Sequence, residues 1–301
     1  MEFLTLGIGS ATPHLSRYPS ASILQIDNSL ILIDCGEGTQ YRLLENKVRI
    51  KKLKYIVISH LHGDHYYGLV ALLSSLSMGK RTEPLHVFGP NGLKEIISIQ
   101  LKYADSKINF PLFISVIDPK NRAVCIDDDR FTITSFTLKH RVDCTGFLFE
   151  EKPAKRKVRK EMLPENFSIE NIKMLISGQD VFDDDSQQLY RYEEYTFEPH
   201  QPTRFAYCSD TIFDREIIQY VQGVDLLYHE ATFTSELENR AQITFHATAA
   251  QAATIALEAN VSQLILGHFS ARYESLDGFL EEAQAIFPNS ILAEQGKTVI
   301  I

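Results

Sequence analysis

The chain has 301 residues, of which 44% are hydrophobic and 23% charged, and it carries a net charge of −9. A chain of this length can bury a large core in one or two domains, and the balance is that of a soluble globular protein. The acidic excess argues against a surface that coats nucleic acid through general positive charge, and no run of eighteen apolar residues is available to cross a membrane.

The opening residues, MEFLTLGIGSATP, lack a basic segment followed by an apolar stretch and a small-residue cleavage site, and they read as a first strand. The four cysteines, Cys35, Cys125, Cys144 and Cys208, are scattered without CxxC spacing. Both features point to a protein that stays in a reducing cytoplasm. Next come SILQI and SLILID, joined by Asp27-Asn28 as a tight hairpin turn. YIVIS, LHVFG, LFISVID, FTITSFTLKH, GFLFEE, FAYCSD, LLYHE and LILGH follow as strand-like runs. Helical patterns occupy residues 66–78, 92–102, 247–259 and 277–286. Many strands interleaved with a few helices predict a mixed α/β fold of two sheets with helices outside.

Residues 150–203 differ in character. KPAKRKVRK, residues 152–160, holds six basic side chains, and the stretch then turns acidic at DVFDDD and aromatic at YRYEEYTFEP. It reads as an arm inserted into a single domain spanning 1–301, with Lys155, Arg156, Lys157 and Arg159 as a local concentration of positive charge. A solvated charged loop is the plain alternative.

The densest chemistry lies in SHLHGDHYYG, residues 59–68, where His60, His62, Asp64 and His65 fall within six positions. In an extended segment, positions i and i+2 point to one side, so His60 and His62 can meet one ion. Gly63 permits a bend that turns Asp64 and His65 toward a second ion. Imidazole nitrogen and carboxylate oxygen suit zinc or manganese. Further ligands must come from elsewhere. His140, Asp210 and His268 each close a strand-like run, a rigid mount for a side chain, and the two oxygens of Asp210 suit it to bridge. A histidine-rich turn with ordinary core histidines elsewhere is the bland reading.

The His-x-His-x-Asp-His cluster resembles the signature of the metallo-β-lactamase fold. LGIGSATP, DCGEGTQYRL, HEATF, HATAAQAA and GHFSARY occur around it in the order found in the ribonuclease Z family. That resemblance spans Leu6 to Tyr273 and implies a four-layer αβ/βα sandwich with two metal ions, zinc or another divalent metal, at one edge. It implies His60, His62 and His140 on one ion, Asp64, His65 and His268 on the other, and Asp210 between them. It further implies removal of the 3′ trailer from precursor tRNA by a homodimer with no membrane attachment. In that reading Asp64 orients the attacking water, His246 protonates the leaving oxygen, Glu230 orients His246, Arg272 holds a phosphate, and Lys155, Arg156, Lys157 and Arg159 of the arm meet RNA phosphates. Two departures from the family pattern stand out. The arm segment FSIENIKMLISGQDVFDDD has no Gly-Pro turn, and the N-terminal loop PHLSRY keeps Pro13 and Arg17 but lacks the usual Lys and Asn. Hydrolysis of small phosphodiesters and a non-catalytic RNA-binding role are the competing readings.

Overall fold

In SLILID the side chains alternate between two buried layers. Ile31 and Ile33 join one apolar cluster, while Leu30 and Leu32 join another, and all four are buried. A strand covered on both faces is apolar at every position, which is why this run shows no polar alternation. The computed structural model describes residues 1–183 and 187–301; the end of the acidic run DVFDDD, at 184 and 185, lies outside the described residues. The chain divides into two units, Met1–Glu150 with Thr203–Ile301, and Glu151–Pro202.

The first unit begins with β1 (Glu2–Gly7), β2 (Ala21–Ile26), β3 (Ser29–Cys35), β4 (Leu53–Val57), β5 (Leu85–Gly89) and β6 (Leu112–Val116). It continues with β7 (Ala123–Asp127), β8 (Phe131–Leu138) and β9 (Cys144–Glu151). The second unit holds β10 (Lys157–Val158), β11 (Val181–Asp183), β12 (Gln188–Tyr190) and β13 (Thr196–Phe197). The chain then returns through β14 (Arg204–Cys208), β15 (Leu226–Glu230), β16 (Gln263–Gly267), β17 (Ser290–Leu292) and β18 (Thr298–Ile300).

Two seven-stranded sheets result, in the orders β18-β1-β2-β3-β4-β5-β6 and β17-β16-β15-β14-β9-β8-β7. From β3 to β6 the strands pair in parallel, as they do from β14 to β17. Between the sheets pack Phe3, Ile31, Val57, Phe131, Phe147 and Phe205. Helix Leu69–Met78 covers the outer face of the first sheet with Leu69, Leu72, Leu73 and Leu76, the spacing of one helical face. Helix Ala249–Glu258 presents Ala252, Ala253 and Ala256 to the second sheet, and Asp277–Ile286 adds Phe279 and Ala283. This is the four-layer mixed sandwich expected from the resemblance. No helix among the described residues is long and apolar enough to cross a membrane.

The hairpin at Asp27-Asn28 has a two-residue loop, with Ile26 opposite Ser29 and Asp27 at φ 51°. Short elements escaped the sequence reading: helices Thr39–Glu45 and Glu238–Thr244, and β7, β17 and β18. The Glu151–Pro202 unit is more than a charged loop. Leu175, Val181 and Tyr190 form a small core with Leu163, Phe167, Tyr192 and Tyr195 around it. Ser168 caps its helix Ile169–Ile176 by accepting from Asn171 N at 3.1 Å.

Gly68 shows how tightly the SHLHGDHYYG segment is seated. Its N–H donates to Cys35 O at 2.9 Å, and a Cβ there would sit 2.1 Å from Gly36 O. Both obstacles are backbone, so Gly68→Ala is expected to destabilise the fold by about 1–3 kcal/mol. Gly278, in an exposed helical turn with nothing nearer than 4.0 Å to such an atom, is the control. Gly278→Ala should be neutral or stabilising by up to about 1 kcal/mol, and chemical denaturation of the two variants measures the contrast.

Candidate metal centre

Parallel strands deliver their C-terminal ends to one edge of each sheet. Asp34 lies at the end of β3, Ser59 and His60 just past β4, Asp210 just past β14, Glu230 at the end of β15 and His268 just past β16. Register aligns the last three, since Cys208 lies opposite His229 and Glu230 opposite Gly267. The sheet edge is thus a rigid row of chemically active side chains. His62 ends the extended stretch at ψ 143°, and helix Gly63–Tyr66 begins immediately, turning Asp64 and His65 to a different side.

Two nitrogen groups form there. His62 Nδ1 lies 3.1 Å from both His60 Nε2 and His140 Nε2, and Asp210 Oδ2 is 3.6 and 3.7 Å from those two Nε2 atoms. On the other side His65 Nε2 and His268 Nε2 are 3.3 Å apart, with Asp64 Oδ2 at 3.4 and 3.3 Å. Asp210 Oδ1 faces this second pair at 3.4 and 3.2 Å. Each oxygen of one carboxylate therefore serves a different group, and each group is compact enough to hold one ion.

The donor set fits a divalent cation. His140 Nδ1 donates to Phe245 O at 2.8 Å, and His65 Nδ1 donates to Asp34 Oδ2 at 2.8 Å. With the proton held on Nδ1, the neutral form of each ring turns an Nε2 lone pair inward. At His65 burial opposes charge, but the Asp210, Asp64 and Asp34 carboxylates outweigh it and raise the pKa well above the usual imidazole range, so a cation at this Nε2 takes the place of a proton. Burial pushes His60 well below the usual imidazole range and lowers His62 and His140, so their neutral, metal-binding form is favoured. Burial opposes ionisation of Asp64, but His65 and His268 beside it hold the carboxyl far below its ordinary range. Asp210 Oδ1 is buried without a hydrogen bond. A cation satisfies all of these groups at once.

A second device adjoins the first. Glu230, fully buried, accepts from His246 Nδ1 at 2.9 Å, Thr211 N at 3.1 Å and Ala247 N at 3.1 Å through Oε1. Its Oε2 accepts from Thr232 N at 2.9 Å and Thr232 Oγ1 at 2.7 Å. Burial alone would lower the His246 pKa, but the Glu230 carboxylate outweighs it and raises the value to about 9. Local folding presents this imidazole. Phe245 ends helix Glu238–Thr244 in the left-handed region at φ 60°, and a capping box of Thr248 and Gln251 starts the next helix.

Relatives can now be set beside this geometry. Ribonuclease Z of Cytophaga hutchinsonii is 44% identical over 300 residues, covering 100% of this chain and 96% of that protein. Ribonuclease Z of Bacteroides fragilis is 39% identical over 295 residues, 98% of this chain and 97% of that one. This chain belongs to the ribonuclease Z family. Residues 1–158 also match the family model described as Anti-Pycsar protein Apyc1, and through that half the chain is a member of that family too. Human tRNase Z, short form, superposes with a TM-score of 0.71 at 24% identity, covering 100% of this chain and 99% of that one. The metallo-β-lactamase fold protein YhfI from Bacillus subtilis gives 0.69 at 19%, covering 99% and 98%. These two likenesses speak to the fold.

As a ribonuclease Z family member, the chain brings together His60, His62, Asp64, His65, His140, Asp210, Glu230, His246 and His268, with exposed Arg272 lining the cavity above them. Lys155, Arg156, Lys157 and Arg159 belong to the Glu151–Pro202 unit. Two of them are engaged inside it. Arg156 Nε donates to Thr196 Oγ1 at 2.8 Å and its guanidinium lies over Tyr192, while Arg159 Nε donates to Thr196 O and lies over Phe197. Lys155 and Lys157 are exposed. Arg17, from the altered N-terminal loop, gives its guanidinium to Ser270 O, Tyr273 O and Glu274 O and so ties that loop to HFSARY.

Sequence reasoning missed Thr232 and, although Asp34 stands out as closing the strand-like run SLILID, gave it no role in the site. Thr232 Oγ1 contacts both Glu230 Oε2 and His268 Nδ1, the latter at 2.9 Å. Asp34, at φ 56°, accepts from Ser59 N, Ser59 Oγ and His65 Nδ1. Its position at a strand end was the available signal. Asp34→Asn keeps shape and tolerance of positive φ but weakens the hold on His65. Chelator competition should show divalent-ion affinity lowered by about 10–100-fold, with the circular dichroism spectrum unchanged.

Proposed function

We propose that this protein is a metal-dependent endoribonuclease that removes the 3′ trailer of precursor tRNA. The observation that carries the reading is Asp210 serving two nitrogen groups beside a separate Glu230–His246 pair. Such a site provides for both ends of an in-line phosphodiester hydrolysis. The full-length ribonuclease Z relatives supply the substrate class.

In this reading His60, His62 and His140 would hold one zinc ion and Asp64, His65 and His268 a second, with Asp210 available to both; manganese is the next choice. Bound there, the ions would supply Lewis acidity for the water and the phosphate. The chain's own groups do the rest. Asp64 turns Oδ2 to the cluster, which leaves Oδ1 to orient the attacking water and accept its proton. As the oxygen of water bonds to phosphorus, the bond to the 3′-oxygen of the tRNA breaks. His246 keeps Nδ1 on Glu230, so Nε2 is the atom that donates the proton to that departing oxygen. The products are a tRNA 3′-hydroxyl and a trailer 5′-phosphate. Glu230 touches no substrate; it positions and charges His246. Arg272, with Lys155, Arg156, Lys157 and Arg159 of the inserted unit, is assigned to RNA phosphates. The same reading has the protein acting as a cytoplasmic homodimer.

A second reading, hydrolysis of small phosphodiesters, is favoured by the inserted segment FSIENIKMLISGQDVFDDD, which lacks the Gly-Pro turn of the ribonuclease Z arm. Cleavage of a 3′-extended precursor tRNA, mapped to the nucleotide and set against a chromogenic phosphodiester, decides between them. One cut at the 3′ end of the acceptor stem supports the trailer-removing activity; turnover of the small ester alone would overturn it. Chelation should abolish the cut, and zinc or manganese should restore it. Asp64→Ala should be inactive on both substrates. His246→Ala should lower kcat on the precursor by about 10²–10⁴-fold with little change in KM, measured under single-turnover conditions.

A further inference from the structure

One cavity of about 290 Å³ opens over Asp64, Asp210, His246 and His268, and three arginines line it: Arg141, Arg240 and Arg272. They come from three distant segments. Arg141 follows His140, Arg240 lies in helix Glu238–Thr244, and Arg272 lies four residues beyond His268. All three are exposed, and among the described residues none has an ion pair recorded to its side chain. Most other arginines of the same unit are engaged. Arg42, Arg130, Arg204 and Arg215 each meet a carboxylate, and Arg17 and Arg81 are satisfied by backbone carbonyl oxygens. Of the rest, Arg49 and Arg122 share the lack of an ion pair among the described residues, but they do not line this cavity. In a chain with 39 acidic and 30 basic residues, three free guanidinium forks at one mouth are a concentration of charge directed at an anion.

Arg141 and Arg240 are further linked to the same flank of the site. His140 Nδ1 donates to Phe245 O at 2.8 Å, and Phe245 is the left-handed residue between the helix of Arg240 and His246. Both segments thus adjoin the imidazole that faces the departing 3′-oxygen. The nucleotide bearing that oxygen must lie on this flank, and its own 5′-phosphate is the next anion along the strand. We propose that Arg141 and Arg240 together clamp the RNA phosphate immediately 5′ to the cut. The inference rests on the ribonuclease reading above and adds two residues and one phosphate to it. Guanidinium forks bind phosphate oxygens in pairs, so the clamp would fix the strand's register against His246 and favour a polynucleotide over an isolated phosphodiester.

The test is binding of a 3′-extended acceptor-stem minihelix whose scissile 3′-oxygen is replaced by methylene, so that the metal-loaded protein binds without cutting. A second minihelix also carries a neutral methylphosphonate at the linkage 5′ to the cut. Removing that charge is expected to raise the wild-type Kd by roughly tenfold or more. The double variant Arg141→Ala/Arg240→Ala should lose as much on the charged minihelix and little further on the neutral one. Its slope of log Kd against log salt should fall by about 0.7 for each arginine, and Arg240→Lys should recover part of the loss. Losses that simply add, or a double variant that binds like the wild type, would overturn the clamp, as would a wild-type protein with no affinity for the minihelix. The scoring needs no cleavage. Binding with the expected coupling, together with failure to cut an ordinary precursor, would sink the ribonuclease reading and leave the clamp standing.

Discussion

The carboxylate of Asp210 is the constraint on which the site depends. It is buried at the floor of the cavity, and each of its oxygens faces a different pair of imidazole nitrogens within 3.2–3.7 Å. A buried anion of this kind is costly unless it is paired, and its neighbours hold it well below the ordinary carboxyl range despite the burial that opposes this. The arrangement joins the two groups into one centre, so displacement of Asp210 would disturb both.

Rigid sheets make such a centre possible. The residues that meet Asp210 come from β4, β8 and β16 and the turn after β4, elements separated by as many as two hundred positions in the chain. Asp34 and His268 adopt left-handed backbone at φ 56° and 62°. Conformations of this type cost free energy in a free chain and persist where surrounding structure over-determines them. Here the over-determination is visible: Asp34 is held by Ser59 and His65, and His268 by Thr232. The Thr232 hydroxyl also reaches Glu230, so the His268 group and the Glu230–His246 pair share one small side chain.

Much of this was legible in the sequence, for identifiable reasons. The buried strands are continuous apolar runs, and the helices carry apolar residues at 3–4 spacing, so YIVIS, LLYHE and LILGH announced their strands and 247–259 its helix. The cluster from His60 to His65 is local, and its i, i+2 logic needs only an extended stretch ending in a turn. Residues whose roles depend on cross-chain contact were hidden. Thr232 looks like any threonine, and Arg141 and Arg240 look like surface charge until the fold places them on one cavity. The short strands β17 and β18 are too brief to show a period. In the Glu151–Pro202 unit, charge and proline masked a small core in which Leu175, Val181 and Tyr190 come from a helix and two short strands, none long enough to show a period. Its Arg156 and Arg159 are partly occupied with Thr196 and aromatic rings, which a reading of the basic run alone could not reveal.

The most direct test of the account is a zinc titration of metal-stripped protein against a chromophoric chelator, comparing the wild type with Asp210→Asn. Two tight sites per chain in the wild type, both weakened by the single substitution, are the predicted result. One site per chain, or an Asp210 variant that weakens only one of two, would contradict the view that a single carboxylate joins two metal positions.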